Sequence, residues 1–294
     1  MKGKIAVLLP CYNECLTIEK VIERYKKALP DADIYVYDNN STDGSAELAE
    51  KAGAIVRYEK QQGKGYVVRS MFNDIDADCY FMVDADDTYM EENAGKMCDM
   101  ILSGEADMVI GDRLSSTYMA EEKRKSHTFG NKLVRFLINK LYKNDIKDIM
   151  TGQRAFSKKF VKSFECKSNG FEIETEMTIF ACDNGMIVKE VPVLYKDRPE
   201  GSFSKLNTFK DGFKVLKTIF KSFAKTHSMK FFGYLSIPFA LLGIGFSVPV
   251  IVALAKSAAI NAAFKWVAIS GFGVAALLNI SGSVIHKIVH KKKK

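Results

Sequence analysis

Two aspartates separated by one residue are the clearest chemical feature of the sequence. Asp84 and Asp86 follow the apolar run 81–83, which is typical of a buried strand. Two carboxylates at the end of a rigid strand can bind one hard divalent cation, while phosphate oxygens and water complete its coordination. The sequence therefore predicts Mg²⁺ or Mn²⁺ at Asp84 and Asp86, and capping of the following helix is the alternative for such a pair.

Acidic residues also follow the other predicted strands, so negative charge accumulates at one edge of the sheet. Glu14 follows the first strand, and Asp38 and Asp43 follow the second. Carboxylates brought together repel one another unless a cation lies among them, and a metal ion with a bound diphosphate would supply that cation. Lys64, between two glycines at a predicted helix start, adds a positive charge and free backbone N–H groups for an anion.

The elements that must position these side chains alternate along the first part of the chain. Short apolar runs followed by amphipathic stretches predict an α/β fold with a doubly wound, mostly parallel sheet. Such sheets bind ligands outside the carboxyl ends of their strands, where the polar motifs fall. Thr17 and Ser45 are predicted helix caps, and residues 148–156 are predicted to be rich in turns. Strands are predicted at 5–9, 34–37, 54–57, 79–83, 108–110 and 186–195, and helices at 17–29, 45–52, 64–74, 92–102, 126–142 and 172–182.

The charge is divided unevenly between the two ends of the chain. The 294 residues carry a net charge of +8, and 47% of them are hydrophobic, which excludes a disordered chain. Residues 1–204 hold 29 basic and 34 acidic side chains, a balance of −5, while residues 205–294 hold 14 lysines and one acid, a balance of +13. Because the positive charge is confined to one end, nucleic acid is not the predicted partner. The six cysteines are predicted to be free thiols.

The basic end also contains two long uncharged runs, 231–255 and 266–285. Each is long enough to cross a hydrocarbon core of about 30 Å. Lysines are concentrated before the first run and after the second, and no hydrophobic signal stretch precedes the first domain. The positive-inside rule then predicts a multi-pass protein of the cytoplasmic membrane with both termini in the cytoplasm. The domains expected are a cytosolic catalytic domain at 1–204 and two transmembrane helices with a lysine-rich tail at 231–294.

Between them, residues 205–230 have apolar residues at steps of three and four and lysines on other faces. This pattern predicts a basic amphipathic helix in the membrane interface, attracted to anionic lipid. A soluble helix packed on the sheet is the alternative. Within the transmembrane runs, small residues could pack helices together or join copies into a homo-oligomer, namely Gly271, Gly273, Ser281 and Gly282.

Taken together, seven motifs between residues 10 and 205 resemble family 2 glycosyltransferases of the polyprenyl-phosphate sugar synthase type. This type includes dolichyl-phosphate mannose synthases and bactoprenol glucosyltransferases. The motifs are Pro10-Cys-Tyr-Asn-Glu14, Asp38-Asn-Asn-Ser-Thr-Asp-Gly44, Gly63-Lys64-Gly65, Asp84-Ala-Asp86, Gly111-Asp-Arg113, Thr151-Gly-Gln-Arg154 and Arg198-Pro-Glu-Gly-Ser-Phe-Ser-Lys205.

The resemblance implies a glycosyltransferase A type sheet followed by a two-helix transmembrane hairpin. It also implies inverting, metal-dependent transfer of a hexose-type sugar from a UDP- or GDP-linked donor to undecaprenyl phosphate at the cytoplasmic membrane face. In the donor site, Asp38 would contact the base, and Asp86 would be the principal metal ligand with Asp84 beside it. The residues implied for nucleotide-sugar binding are Pro10, Tyr12, Glu14, Asp38, Asn40, Lys64 and Asp84.

For the acceptor, the resemblance implies basic residues that hold the lipid phosphate. Gln153 stands where some bacterial relatives have an acid, but a phosphomonoester is mostly ionised at neutral pH and needs alignment more than deprotonation. Asp148 would orient the acceptor or the sugar, or is simply a turn residue. The residues implied are Arg113, Arg124, Lys125 as a substitute for Arg124, and Arg198 for the acceptor phosphate, and Asp86, Asp148 and Arg154 for catalysis.

Two other functions remain open at this point. A processive polysaccharide synthase of the same superfamily would carry a Gln-x-x-Arg-Trp motif, whereas here Gln153 directly precedes Arg154. A non-catalytic nucleotide-binding membrane scaffold would have no need of the full carboxylate set. Both are therefore less favoured than the polyprenyl-phosphate glycosyltransferase.

Overall fold

The computed structural model describes residues 3–115 and 125–291, with side chains from residue 130 to residue 289 in the second range. The chain forms two compact units, which lie within residues 1–219 and 220–294. The first contains a sheet with helices, and the second contains two long apolar helices. The predicted domain boundaries at residues 204 and 230 stay predictions.

Seven strands form one sheet in the described part of the first unit. Their bounds are β1 Ile5–Cys11, β2 Asp33–Asp38, β3 Ile55–Tyr58, β4 Cys79–Met82, β5 Met108–Asp112, β6 Arg154–Ser157 and β7 Val188–Pro192. Their order across the sheet is β3-β2-β1-β4-β6-β5-β7. Among these strands, β6 alone runs antiparallel to its neighbours, β4 and β5. The predicted mostly parallel sheet is confirmed.

Helices cover both faces of the sheet because the apolar side chains of each strand alternate between the faces. In β1, Ala6 and Leu8 join one buried core, while Val7 and Leu9 join the other. The first core also contains residues of α3 (Lys64–Asp74), α5 (Lys125–Tyr142), α6 (Lys158–Ser163) and α7 (Ile173–Asp183). The second contains residues of α1 (Ile18–Ala28), α2 (Ser45–Lys51) and α4 (Ala94–Leu102).

Three details of the predicted elements differ from the structure. The turn-rich stretch predicted at 148–156 ends in β6, whose Arg154 interrupts the apolar pattern of a strand. Thr17 stands at the N-cap position of α1, as predicted, but its side chain makes no capping hydrogen bond and its hydroxyl instead donates to the carbonyl oxygen of Ala85 at 2.7 Å. Ser45 does not precede α2 but begins it, and its hydroxyl accepts from the backbone N–H of Glu14 at 2.8 Å. Both hydroxyls instead join loops at the carboxyl edge of the sheet.

Within the predicted amphipathic segment 205–230, the structure has a helix, α8, at Thr208–Thr226. Val215 and Ile219 are buried in the core of the first unit. Phe209 and Phe213 point the other way and are 90% and 70% exposed. The helix therefore packs on the first unit, as the alternative prediction had it, and also presents an apolar stripe outward.

In the second unit, α9 (Ser228–Ala255) and α10 (Ala262–Lys291) are long and apolar enough to cross a membrane. Their backbones approach closely where glycines stand, since a Cβ on Gly271 would lie 2.8 Å from the carbonyl oxygen of Phe239. Asn279 also donates to the hydroxyl of Ser236 at 3.0 Å. The two helices form a hairpin, as predicted, and the predicted packing residue Gly271 serves this contact within the chain.

Candidate active site

A pocket of about 590 Å³ lies at the carboxyl edge of the sheet, within the size range of small-molecule sites. Its walls come from the ends of β1 and β4, the start of α3, the loop before α7 and the segment from residue 198 to residue 214. Parallel strands bring their carboxyl ends to one edge, so motifs far apart in sequence meet here. The predicted residues that line the pocket are Pro10, Tyr12, Glu14, Lys64, Asp84, Asp86 and Arg198.

Lys64 forms the deepest ion pairs of the pocket. Its ammonium lies 2.5 Å from Asp84 Oδ1 and 2.7 Å from Glu174 Oε1, and only 7% of its side chain is exposed. Burial opposes its charge, but Asp84 and Glu174 outweigh this effect and raise the pKa of Lys64 above its usual value. Lys64 thus neutralises Asp84 from within the protein.

Asp86 pairs with a cation on the opposite side. Its Oδ2 lies 2.5 Å from Nη2 of Arg198, and its Oδ1 accepts from the hydroxyl of Thr88 at 2.6 Å. Burial and the charge of Asp84 raise the pKa of Asp86, while Arg198 opposes this shift. Burial and a like charge thus disfavour the ionised form of this carboxylate, and Arg198 favours it.

Glu14 holds the segment that carries Arg198. Its Oε1 accepts from Nη1 of Arg198 at 3.1 Å and from Nζ of Lys205 at 2.6 Å. Ser202 donates to Oε2 at 3.4 Å. The nucleotide contact that the resemblance implies for Glu14 stays a prediction, and in the structure Glu14 fastens residues 198–205 to the end of β1.

Backbone pairing places Arg198 beside Asp86. Tyr89 and Tyr195 form an antiparallel bridge, and the N–H of Lys196 donates to the carbonyl oxygen of Thr88 at 2.8 Å. Asp87 reinforces this arrangement because it is 2.8 Å from the ammonium groups of both Lys20 and Lys196. The loop after β4 and the segment before Arg198 therefore form one framework.

Glycines around Lys64 allow a second loop to approach. A Cβ on Gly63 would lie 2.1 Å from the carbonyl oxygen of Asn169, and one on Gly65 would lie 2.2 Å from that of Ser168. Gly63 also has φ of +142°, which favours glycine. The Gly-Lys-Gly motif thus serves close packing, beyond the anion contact that the sequence suggested.

The glutamates at the start of α7 divide their contacts. Glu176 accepts from the N–H of Ser168 at 2.8 Å, and Glu172 accepts from that of Gly170 at 3.2 Å, so both hold the loop beside Lys64. Of these three glutamates, Glu174 is the one that pairs with Lys64. Its alternation with Glu172 and Glu176 was visible in the sequence, but its partner lies 110 residues away.

At the end of β2, Asn39 lines the pocket where Asp38 was expected. Asp38 is 3% exposed, and its Oδ1 has no hydrogen-bond partner within the described residues. The amide of Asn39 donates to the carbonyl oxygens of Glu59 and Gln61 at 2.8 Å each, which fixes the loop before Lys64. Asn40 is exposed and donates to the carbonyl oxygen of Lys60 at 3.0 Å. Asp38 and Asn40 therefore flank the pocket lining.

Arg113 and Asp148 form a pair outside the pocket lining. Two guanidinium nitrogens of Arg113 donate to the carboxylate at 2.7 and 2.9 Å, and one of them also donates to the carbonyl oxygen of Met150. The guanidinium lies over the ring of Tyr195, 5.1 Å from its centroid. The structure thus brings together Arg113, predicted for the acceptor phosphate, and Asp148, predicted for catalysis. Arg124 and the side chain of Lys125 lie outside the described residues.

Arg154 is not brought to the pocket. It is fully buried and donates to the carbonyl oxygens of Ile149 and Thr151 and to the hydroxyl of Thr178. Burial lowers the pKa of Arg154, with the charges of Glu174 and Asp148 opposing the shift. The predicted catalytic arginine thus has no surface open to substrate, and its contacts support the chain around β6.

Three lysines that the sequence assigned to the membrane belong to this site. Lys205 pairs with Glu14, and Lys210 and Lys214 line the pocket. Lys214 is 2.9 Å from Asp211, the only acid of the basic end. The motif from Arg198 to Lys205 already pointed to a role of Lys205 in the site. The high number of lysines before the first apolar run favoured a membrane role for all of them instead.

The two aspartates fit a hard divalent cation as part of its coordination. Within the described residues, no group of three His, Cys, Asp or Glu side chains is placed to hold a metal ion alone. Asp84 and Asp86 each lie against a cationic side chain, so a positive charge is already placed beside each carboxylate. Diphosphate oxygens and water would supply the remaining ligands that Mg²⁺ or Mn²⁺ requires.

Comparison with known proteins decides the family. The protein-family model described as "Glycosyl transferase family 2" matches residues 6–164 of this chain. Glycosyltransferase AglJ of Haloferax volcanii is 32% identical over 280 residues, which are 95% of this chain and 88% of that protein. The chain belongs to glycosyl transferase family 2. It is a glycosyltransferase, as the motifs predict, and the non-catalytic scaffold is set aside.

Further similarities concern relatives and the fold. The dolichyl-phosphate hexose transferase of Haloferax volcanii is 30% identical over 217 residues, 74% of this chain and 92% of that protein. Among solved structures, glucosyl-3-phosphoglycerate synthase from Mycobacterium tuberculosis in complex with Mn²⁺, UDP and glucosyl-3-phosphoglycerate has a TM-score of 0.60. It is 19% identical and covers 75% of this chain and 80% of that one. The likeness confirms the predicted glycosyltransferase A type fold.

Proposed function

We propose that this glycosyltransferase moves a hexose-type sugar from a UDP- or GDP-linked donor to a polyprenyl phosphate, with inversion, at the cytoplasmic face of the membrane. The observation that carries the proposal is the pocket in which Asp84 and Asp86 meet Lys64 and Arg198. Paired carboxylates and cations at one sheet edge suit a metal-bound diphosphate. Similarity to the dolichyl-phosphate hexose transferase supports a lipid-phosphate acceptor.

In the donor site, Asp84 and Asp86 would hold Mg²⁺ or Mn²⁺, which stabilises the departing nucleoside diphosphate when bound. Pro10 and Tyr12 lie at the end of β1, where a base and ribose can be placed. Tyr12 is 37% exposed, so its ring is accessible for stacking. The donor therefore fits with its nucleotide at β1 and its diphosphate at the end of β4.

The acceptor needs alignment and charge compensation more than a strong base. A phosphomonoester has its second pKa near 6, so at neutral pH it is already largely ionised. Two phosphate-bearing substrates repel each other, and forked hydrogen bonds from arginines offset this repulsion. Arg198 is placed for this task because it lines the pocket and its side chain is 24% exposed. We assign Arg113 to the same side, with Asp148 fixing its guanidinium.

Membrane association would bring the lipid phosphate to this pocket. The hairpin of α9 and α10 has the length and composition of membrane-spanning helices. Lys217 and Lys221 of α8 are exposed, as are Phe209 and Phe213. Exposed aromatic rings with lysines beside them suit the surface of an anionic bilayer. We infer that α8 lies at the cytoplasmic interface, with both chain termini on that side.

The direct test is a donor screen. Membranes that contain the wild-type protein are supplied with undecaprenyl phosphate and radiolabelled UDP- or GDP-sugars, and the label is followed by organic extraction. One donor should label the lipid phase, and Asp86→Ala should abolish this labelling while the protein stays folded. Labelling of Asp86→Ala at the wild-type rate would contradict the metal assignment. Long water-soluble polymer in place of lipid label would favour a processive synthase.

A further inference from the structure

Each aspartate at the end of β4 shares its cation with a second, buried glutamate. Lys64 lies between Asp84 and Glu174, and Arg198 lies between Asp86 and Glu14. A cation held by two carboxylates can release one of them and still keep a partner. Both aspartates can therefore change partners without leaving an unpaired positive charge in the pocket.

The two cations differ in how freely they can move. The side chain of Lys64 is 7% exposed and belongs to α3. Arg198 is 24% exposed and belongs to a segment without helix or strand structure, in which Phe203 is 79% exposed. Lys205 ties the far end of this segment to Glu14 at 2.6 Å. Arg198 can thus leave Asp86 while Glu14 keeps the segment at the pocket.

We propose that Arg198 is a resident cation that occupies Asp86 in the metal-free enzyme and yields it to the divalent ion, while Glu14 and Lys205 retain the segment. This inference rests on the proposed metal site at Asp84 and Asp86. It goes further by giving Glu14 and Lys205 positioning roles. It also sets an order, because Arg198 becomes available to a phosphate group only after the metal has reached Asp86.

Like charges near one carboxylate compete, so removal of Arg198 should strengthen binding of the metal. The experiment measures binding of Mn²⁺ alone to the full chain in detergent, from the electron paramagnetic resonance signal of free Mn²⁺. Arg198→Gln should bind Mn²⁺ about fivefold more tightly than wild type, the order expected for loss of a partly buried ion pair. Arg198→Lys keeps the charge and should stay within about twofold of wild type.

Two matched variants separate direct exchange from a general charge effect. Lys210→Gln removes one positive charge from the same pocket. Because Lys210 makes no ion pair with any described residue, this variant should leave the Mn²⁺ affinity within about twofold of wild type. Lys205→Gln removes a cation that contacts Glu14 instead of Asp86, and should have a smaller effect than Arg198→Gln. Equal tightening by all three would overturn the exchange.

The outcomes also distinguish this inference from the proposed function. If Arg198→Gln binds Mn²⁺ no more tightly than wild type, while Asp86→Asn binds it less tightly, the exchange is overturned and the metal site stands. If Asp86→Asn binds Mn²⁺ as wild type does, the metal site and the exchange both fail. Thermal melting of each variant in the same detergent checks that the protein is folded.

Discussion

Lys64 shows how one side chain connects stability with the donor site. Its ammonium is enclosed between Asp84 and Glu174, so its removal leaves two buried carboxylates without their cation. Breaking a buried pair in this way costs about 3 kcal/mol of unfolding free energy. Loss of Lys64 is therefore expected to affect both stability and the proposed donor site.

We predict that Lys64→Gln lowers the melting temperature by several degrees and weakens donor binding, as measured by thermal unfolding and by titration calorimetry with UDP or GDP. Lys158→Gln is the control, because Lys158 pairs with Asp76 at the surface and 48% of its side chain is exposed. That variant should melt as wild type does. A Lys64→Gln protein as stable as the control would contradict the role of this buried cluster.

Arg113 and Asp148 should act as one unit, since the carboxylate accepts two hydrogen bonds from the guanidinium. We predict that Arg113→Ala and Asp148→Asn each raise the KM for polyprenyl phosphate about tenfold and change the donor KM less than about twofold. The double variant should be no worse than either single variant, because the contacts are shared. Effects that multiply in the double variant, or that fall equally on donor and acceptor, would refute the assignment.

At the scale of elements, close packing between the start of α3 and the loop before α7 shapes the pocket. A Cβ on Gly65 would lie 2.2 Å from the carbonyl oxygen of Ser168, so the loop would have to move. Gly95 in α4 offers the matched comparison, because a Cβ there would meet no atom within 4 Å.

We predict that Gly65→Ala destabilises the protein by about 1–3 kcal/mol and weakens nucleotide binding, since overpacking displaces the loop beside Lys64. Gly95→Ala should be neutral or slightly stabilising, because alanine favours a helix. Melting temperature and calorimetric affinity for UDP or GDP report both effects. Unchanged nucleotide affinity in Gly65→Ala would show that this loop does not shape the donor site.

Local pattern predicted the elements whose side chains alternate regularly. Ala6 to Leu9 alternate between two cores, and the strand was correctly predicted from that apolar run. Arg154 hid β6, because a fully buried arginine in a strand gives no apolar signal, and one of the groups to which it donates, the hydroxyl of Thr178, lies 24 residues away. The position of the pocket could be predicted from the ends of the strands. The ion-pair partner of each charged residue could not, since Arg198 and Asp86, for example, are 112 residues apart.

At the scale of the whole molecule, the lysines of the basic end fall into two groups. Lys205, Lys210 and Lys214 belong to the pocket, while Lys217 and Lys221 are exposed on α8. The sequence balance of +13 in residues 205–294 therefore does not belong to the membrane alone. Lys217 and Lys221, together with the exposed rings of α8, stay available for the proposed contact with anionic lipid.

We predict that replacing both Phe209 and Phe213 by serine lowers transfer to undecaprenyl phosphate in anionic liposomes at least about tenfold, because two rings leave the interface. Transfer to a short-chain acceptor in detergent should stay near the wild-type rate. Tyr58→Ser is the control, since Tyr58 is 64% exposed on β3. Equal loss with both acceptors would contradict a membrane role for these rings.

The proposed reaction is transfer of a sugar to a lipid phosphate at a metal-bound donor site. The most direct measurement is mass spectrometry of the lipid extracted from liposomes that contain purified protein, undecaprenyl phosphate and the active nucleotide sugar. We predict a lipid heavier by one hexose-type unit, formed with Mg²⁺ or Mn²⁺ and absent with chelator or with Asp86→Ala. An unmodified lipid, with sugar recovered only in water-soluble products, would contradict it.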